Sequence, residues 1–295
     1  MFKSGFVAIV GRPNVGKSTL LNRLSGQKIA IVSNKPQTTR TAIKGIINRE
    51  DAQIIFTDTP GIHKPKNKLG EKMAETIDNA VTDVDVILYV IEATDKGIGM
   101  ANEFILNKVK STGKKAILVI NKVDIVKKEN ILELIKLYSA EHNFEAIIPI
   151  SAREDDGLDV LIEKIVEILP EGPAYYDTEE WTDQTERQII EETIREKALK
   201  LLDDEIPHGI AVEVITMKKR EKKNLYDIEV TIYCEKKTHK GIIIGKDGIV
   251  LKQIGERARE DIEEMLGSKV NLQLWVKIKE GWREDSKKLN QVFHQ

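Results

Sequence analysis

The chain has 295 residues, 46 Lys and Arg against 48 Asp and Glu, and a formal net charge of −2. That length accommodates two domains with sizeable cores. The single cysteine, Cys234, excludes an internal disulfide and a cysteine-based metal cluster, and suits a reducing compartment. The charge is unevenly spread. Residues 173–213 carry 4 basic and 12 acidic side chains, whereas residues 214–295 carry 18 basic and 13 acidic, so the C-terminal region is open to an anionic partner. The N-terminal residues lack a signal-peptide profile and no apolar run approaches membrane-spanning length, so a cytoplasmic protein without a transmembrane segment is expected.

In chain order, Phe6 to Val10 is an apolar run of buried-strand type, and Leu20, Leu21, Leu24 and Ile29 begin a helical stripe. Residues 33–41 are polar and aperiodic, hence a loop. Ala42 to Arg49 reads as an exposed strand and Gln53 to Phe56 as a buried one, followed by a Lys- and Pro-rich loop. Helices are expected over 69–81, 101–109, 131–138 and 158–169, and strands over 86–91, 116–120 and 147–150. This alternation is that of an α/β domain, a mostly parallel sheet with helices on both faces, over residues 1–172. Residues 173–183, with Pro173 and a short acidic stretch, read as a linker. A second, α+β domain over 184–295 starts with a helix at 184–202. Strands follow at 210–215 and 228–233, then a short helix, a long helix ending near Leu266, and a strand at 270–278. Cys234 is expected to be structural.

Gly11-Arg12-Pro13-Asn14-Val15-Gly16-Lys17-Ser18 fits the phosphate-binding P-loop pattern, between a strand and a helix as that motif requires. Backbone N–H groups of Asn14, Val15, Gly16, Lys17, Ser18 and Thr19 would cradle phosphates. Lys17 would reach the β- and γ-phosphates, and the Ser18 hydroxyl would sit on Mg²⁺. Asp58, opening Asp58-Thr59-Pro60-Gly61, would hold Mg²⁺ through a water, and the Gly61 N–H would touch the γ-phosphate. Of Thr38, Thr39 and Thr41, Thr39 is assigned to close on Mg²⁺ and the γ-phosphate. Lys17, Thr39 and Gly61 are therefore the expected catalytic contacts. Asn121-Lys122-Val123-Asp124 selects guanine over adenine. The Asp124 carboxylate can accept from both N1–H and the exocyclic amine, Asn121 would brace adjoining loops, and the Lys122 stem would cover the base. A backbone N–H of Ser151-Ala152 would meet the guanine O6. Asn14 either ligates K⁺ at the phosphates or stabilises its loop by a hydrogen bond.

In the second domain, Gly241 to Ile249 contains Gly245-Lys246-Asp247-Gly248 between two apolar helical segments. It resembles the G-x-x-G loop of a type II KH domain, which clamps the backbone of four nucleotides. Gly241, Ile244, Gly245, Lys246, Gly248, Ile249 and Lys252 are the expected RNA-binding residues, with Ile254 also lining the groove. Arg257 and Arg259 are either further backbone contacts or a solvated face. Asp247 must point away or cap the next helix. Trp275 and Trp282 are expected to pack inside. The basic run 218–223 is either a solvated hairpin tip or an RNA contact.

The five nucleotide motifs, in this order, are those of a small GTPase domain. With Gln37-Thr38-Thr39-Arg40, Asp58 to Pro65 and the KH-like segment, nearly the whole chain resembles the Era family of bacterial ribosome-assembly GTPases. The resemblance implies GTP and GDP as ligands, Mg²⁺, a monomer, and binding to the 3′ region of 16S ribosomal RNA in assembly of the 30S subunit. It also allows peripheral association with the inner face of the cell membrane. The alternative is a constitutive RNA-binding protein whose nucleotide domain barely hydrolyses GTP. Ile62 stands where Ras-type enzymes carry the Gln that orients water, so slow intrinsic turnover is expected. His63 is expected to be a surface residue and not a base.

Overall fold

The computed structural model describes residues 1–33, 35, 38–62, 67–203, 206–221 and 223–292. They form two compact units. The first comprises the described residues up to 62 and Gly70–Asp183, and the second comprises 67–69 and the residues from Gln184 onward.

The first unit is a six-stranded sheet built from β1 (Lys3–Gly11), β2 (Ile43–Asn48), β3 (Ala52–Asp58), β4 (Val86–Glu92), β5 (Lys115–Asn121) and β6 (Ala146–Pro149). Its order is β2-β3-β1-β4-β5-β6, and only the edge strand β2 runs antiparallel. The interleaved helices are α1 (Lys17–Ser25), α2 (Lys68–Thr82), α3 (Met100–Thr112), α4 (Lys128–Glu141) and α5 (Leu158–Ile168). Near-continuous apolar strands are buried on both faces, as a parallel sheet requires. One core gathers Ile9, Phe56, Leu88 and Val119 with Leu20 of α1 and Leu161 of α5. The other gathers Val10, Tyr89 and Leu118 with Ile77 of α2, Ile105 of α3 and Leu134 of α4. Because every parallel strand points the same way, the C-terminal ends of β1, β3, β4 and β5 deliver the P-loop, Asp58, Glu92 and Asn121 to one edge, where ligands of such sheets bind.

Three local readings change. α1 stops at Gly26 in the left-handed conformation, so Ile29 lies beyond the helix, although it still joins the core. β2 is not an exposed strand, since Ile43 and Ile46 are buried. Residues 173–183 lie along β2 and β3. Gln53 accepts the N–H groups of Tyr175 and Tyr176 at 2.7 and 3.0 Å, and its amide donates to Asn48 Oδ1 and the Tyr176 carbonyl. The Ile46 N–H donates to the Trp181 carbonyl, Lys44 pairs with Asp183 at 3.1 Å, and the Trp181 ring packs on the first core. This strap covers the sheet edge that β2 would otherwise expose.

The second unit runs α6 (Glu186–Leu201), β7 (Ala211–Lys219), β8 (Leu225–Cys234), α7 (Lys237–Ile244), α8 (Ile249–Leu266), β9 (Lys269–Ile278) and α9 (Ser286–Val292). The α-β-β-α-α-β order of its first six elements is that of the type II KH fold. β8 lies centrally, antiparallel to β7 and parallel to β9. A capping box between Thr185 and Gln188 starts α6, satisfying orphan N–H groups of its first turn. Ile190, Ile194 and Ala198 of α6 and Ile254, Ala258 and Ile262 of α8 pack on the sheet, and Cys234 is buried among them. Trp282 is buried and donates its indole N–H to the Gly209 carbonyl, as expected of a packing residue. Trp275 differs: it is 58% exposed. Val270 and Val276 of β9 are buried, so the period-two alternation turns position 275 outward.

Candidate nucleotide site and RNA-binding cleft

Gly16 holds φ 99°, ψ 21°, and a Cβ there would lie 2.3 Å from Asn121 Nδ2. Only glycine lets the P-loop turn this tightly against the 121–124 loop. Asn121 does the bracing expected of it. Its Nδ2 donates to the Val15 carbonyl at 2.8 Å, and its Oδ1 accepts the N–H groups of Lys122 and Ala152 at 2.8 and 3.0 Å. One side chain thereby joins the P-loop, the 121–124 loop and the 151–152 loop.

The phosphate end is a cleft of about 140 Å³ lined by Asn14, Gly16, Lys17, Ser18, Thr19, Thr39, Gly61 and Lys122, among others. Lys17 is buried, and its ammonium donates to the Gly11 and Arg12 carbonyls at 3.2 and 3.1 Å. Burial pushes its pKa down to about 8, partly countered by Asp58. Ser18 Oγ donates to Asp58 Oδ2 at 2.6 Å, Thr39 Oγ1 donates to the same oxygen at 3.2 Å, and the two hydroxyls lie 3.0 Å apart. Ser18 from the first turn of α1, Thr39 from the loop before β2 and Asp58 from the end of β3 thus meet. Asp58 Oδ1 is buried and, among the described residues, meets no partner at hydrogen-bond geometry, and burial raises the carboxyl pKa against the pull of Lys17, the two hydroxyls and the Thr59 backbone N–H. An all-oxygen set with an unused carboxylate oxygen fits a hard cation such as Mg²⁺.

Ile62 is buried in the second core, and its backbone N–H donates to the Gly11 carbonyl at 3.2 Å. The position that carries Gln in Ras-type enzymes is therefore turned into the protein and offers no side chain to water. His63 lies outside the described residues, as do Asn34, Pro36, Gln37, Lys64 and Pro65.

At the base end, Ser151 Oγ donates to Asp124 Oδ1 at 2.7 Å. The sequence suggested only a backbone N–H from this dipeptide. In the structure the Ala152 N–H donates to Asn121 Oδ1 and the Ser151 N–H to the Asp156 carbonyl, while the Ser151 hydroxyl adds a contact to Asp124 that the sequence did not suggest. Sequence reasoning also missed Glu92, whose carboxylate pairs with the Lys122 ammonium, and Asp95, which pairs with Arg12 of the P-loop at 2.5 Å. No motif marks either residue. Glu92 is detectable only as the last residue of β4 beside the strand that ends at Asn121.

In the second unit, the Gly245 N–H donates to the Gly241 carbonyl, closing α7. Gly245 then takes φ 74°, ψ 173°, Asp247 φ 53° and Gly248 φ 78°. Asp247 does not cap α8. That helix starts at Gly248 without a side-chain cap, and a left-handed Asp247 is not placed to supply one. A cleft of about 360 Å³ opens beside this loop, lined by Gly248, Leu251, Lys252, Gly255, Glu256, Arg259, Leu272 and Leu274. It runs along α8 and β9. Lys252 lies in it and Lys246 stands exposed at the loop, while Ile249 is 55% exposed and Ile244 partly packed on the core. Ile254 does not line the cleft because it is fully buried. The apolar wall comes instead from Leu251, Leu272 and Leu274.

A family model for 50S ribosome-binding GTPases matches residues 6–122, and one for KH domains matches residues 205–283. Fold and motifs together therefore define a P-loop GTPase joined to a KH domain. A GTPase Era from Caldicellulosiruptor saccharolyticus is 56% identical over 96% of this chain and 95% of its own length, and one from Clostridioides difficile is 54% identical over the same shares. An Aquifex aeolicus Era variant bound to GDP and AlF4⁻ is 42% identical, covers 99% of both chains and superposes with a TM-score of 0.95. Era in complex with MgGDPNP and nucleotides 1506–1542 of 16S ribosomal RNA is 41% identical over 99% of both chains, with a TM-score of 0.96. The chain belongs to the Era family of GTPases.

Proposed function

We propose that this GTPase is a nucleotide-controlled RNA-binding switch: its KH unit takes the 3′ region of 16S ribosomal RNA, and its task is assembly of the 30S subunit. The observation that carries the switch is the convergence of Ser18, Thr39 and Asp58 from a helix start, a loop and a strand end on one point beside Lys17. The RNA target is supported by the similarity to Era in complex with 16S ribosomal RNA, over nearly the whole length of both chains.

The P-loop amides and Lys17 bind the triphosphate, Asp124 held by Ser151 accepts from the guanine, and Gly61 and Thr39 close over the γ-phosphate. Ser18, Thr39 and Asp58 would hold Mg²⁺, which when bound neutralises charge on the β- and γ-phosphate oxygens. With Ile62 in the core, water must be placed by backbone, by the ordered loops or by a bound partner, so unaided hydrolysis is slow. The Asn14 carbonyl already accepts from Lys122 at 2.8 Å, and comparing turnover in K⁺ and Na⁺ tests the remaining cation role. Among the described residues no helix is long and apolar enough to cross a membrane, and peripheral attachment gains no support from them.

Single-turnover hydrolysis with and without an RNA spanning the 3′ end of 16S rRNA tests the reading. We expect tight binding of that RNA and faster hydrolysis in its presence. RNA binding with negligible hydrolysis in both conditions would favour the constitutive binder instead.

A further inference from the structure

Lys122 has an unusual position. Its backbone sits at φ 67°, in the left-handed region that costs a non-glycine residue energy, and its ammonium donates to the carbonyl of Asn14, itself at φ 66°. The lysine therefore bridges two strained backbone positions, one in the base loop and one in the P-loop. A single carbonyl does not satisfy three N–H donors, and the ammonium is only partly exposed. The remaining partner is Glu92, the last residue of β4, directly across from Asn121, the last residue of β5. The backbone reinforces the register, since the Ala93 N–H donates to the Asn121 carbonyl at 2.8 Å. Glu92 Oε1 takes Lys122 Nζ, while the Thr94 hydroxyl lies 3.4 Å from its other oxygen.

We infer that Glu92 is a positioning residue for guanine-nucleotide binding: it holds the Lys122 side chain extended between the base loop and the P-loop. An unheld lysine samples many rotamers, and freezing it on binding costs affinity. With Nζ fixed by Glu92 and Asn14, the four-carbon stem already forms a wall of the cleft before nucleotide arrives. The carboxylate does not touch nucleotide. It acts through the lysine, and it acts equally on GDP and GTP because nothing in the contact depends on the γ-phosphate. This role rests on the reading that the base lies between Asp124 and the Lys122 stem.

The test measures dissociation rates of fluorescent GDP and of a non-hydrolysable GTP analogue from the full chain. Glu92→Gln preserves size and removes the charge. We expect both rates to rise by on the order of three- to tenfold, with the melting temperature of nucleotide-free protein unchanged. Glu92→Asp should recover most of the loss. In a Lys122→Met background the Glu92→Gln change should add nothing. Unchanged rates in the single variant, or an equal loss in the Lys122→Met background, would overturn the assignment. Asp124→Asn separates the two levels. Its preference should move from guanine to xanthine nucleotides; if it does so while Glu92→Gln is silent, only the role of Glu92 fails. If it keeps guanine, the base lies elsewhere and both readings fall.

Discussion

Lys17 is buried at the phosphate end of the cleft, and its protonation is tied to what the cleft holds. With a pKa lowered to about 8 by burial, it is protonated at neutral pH, and it loses its charge far more readily than an exposed lysine. Bound phosphate oxygens favour the charged form and raise the pKa again. The sign follows. Below pH 7 the ammonium is charged in both states and Lys17 exchanges no proton, whereas near pH 8.5 the free protein is largely neutral at Lys17 and nucleotide binding takes up a proton there. Titration calorimetry of GDP at pH 8.5 in buffers of different ionisation enthalpy should give different heats, and the proton uptake they report should be smaller at pH 7.5. The same shift, taken alone, makes nucleotide-free protein gain stability as pH rises from about 8 toward 10.5, because the unfolded chain binds the extra proton over that range. The loop glycines of the second unit differ in what they test. At Gly245 a Cβ would lie 2.5 Å from Val250, at a φ and ψ that only glycine adopts readily, so Gly245→Asp disturbs folding as well as binding. At Gly248 nothing lies within 4 Å of the added Cβ, and the left-handed backbone costs about 1–2 kcal/mol. Gly248→Asp should therefore abolish RNA binding by charge in a folded protein, and a filter-binding assay beside a melting curve checks both halves.

Residues 173–183 show how an element can be invisible to composition. Pro173 and the acidic residues mark a break in periodicity, which is all that a local reading can see, yet Gln53 satisfies partners more than 120 positions away. A fragment ending at 183 keeps these bonds and the Trp181 contact, and one ending at 172 loses them. Several bonds worth about 0.5–1.5 kcal/mol each and a partly buried ring, less the entropy of ordering the strap, leave roughly 2–4 kcal/mol. The longer fragment should melt about 5–10 °C higher, and equal melting temperatures would show that the strap contributes nothing to the first unit. Gln53→Leu in the full chain tests the same strap by leaving two N–H groups without their acceptor, at about 1–3 kcal/mol. The strands and helices of the sheet were legible because apolar runs and helical stripes are local signals. The P-loop, Asp58 and the 121–124 loop were legible because their chemistry is carried by short spacings. Face assignment was harder. Ile249 and Ile254 are five residues apart, which at about 100° per residue puts them on different sides of α8, and the buried stripe is Ile254, Ala258 and Ile262. At Trp275 the expectation of packing inside lost to strand parity. Glu92 and the Ser151 hydroxyl act across strand ends, so only the assembled sheet brings them to their partners.

For the molecule as a whole, the proposed switch requires that a γ-phosphate change RNA affinity. The two units have separate cores, so neither needs the other to bury its apolar residues. The loop that carries Thr39 leads within four residues into β2, and β2 bears the strap through Lys44, Ile46 and Asn48. The strap ends at Asp183, immediately before the second unit begins at Gln184. Ordering of Thr39 by nucleotide can therefore reach the start of the RNA-binding unit through one strand and its hydrogen bonds. Linkage makes this quantitative. The factor by which a GTP analogue, relative to GDP, changes RNA affinity must equal the factor by which RNA changes the preference for that analogue over GDP, and such factors are commonly about 5 to 150. Measuring all four corners by fluorescence anisotropy should close the cycle with a factor above one. Lys44→Ala removes the pairing with Asp183 and the contact with the Tyr176 hydroxyl without touching either site. It should bring the factor toward one while GDP affinity in the absence of RNA stays as in the wild type. A factor of one in the wild type would remove the switch, and a factor unchanged in Lys44→Ala would show that the coupling bypasses the strap.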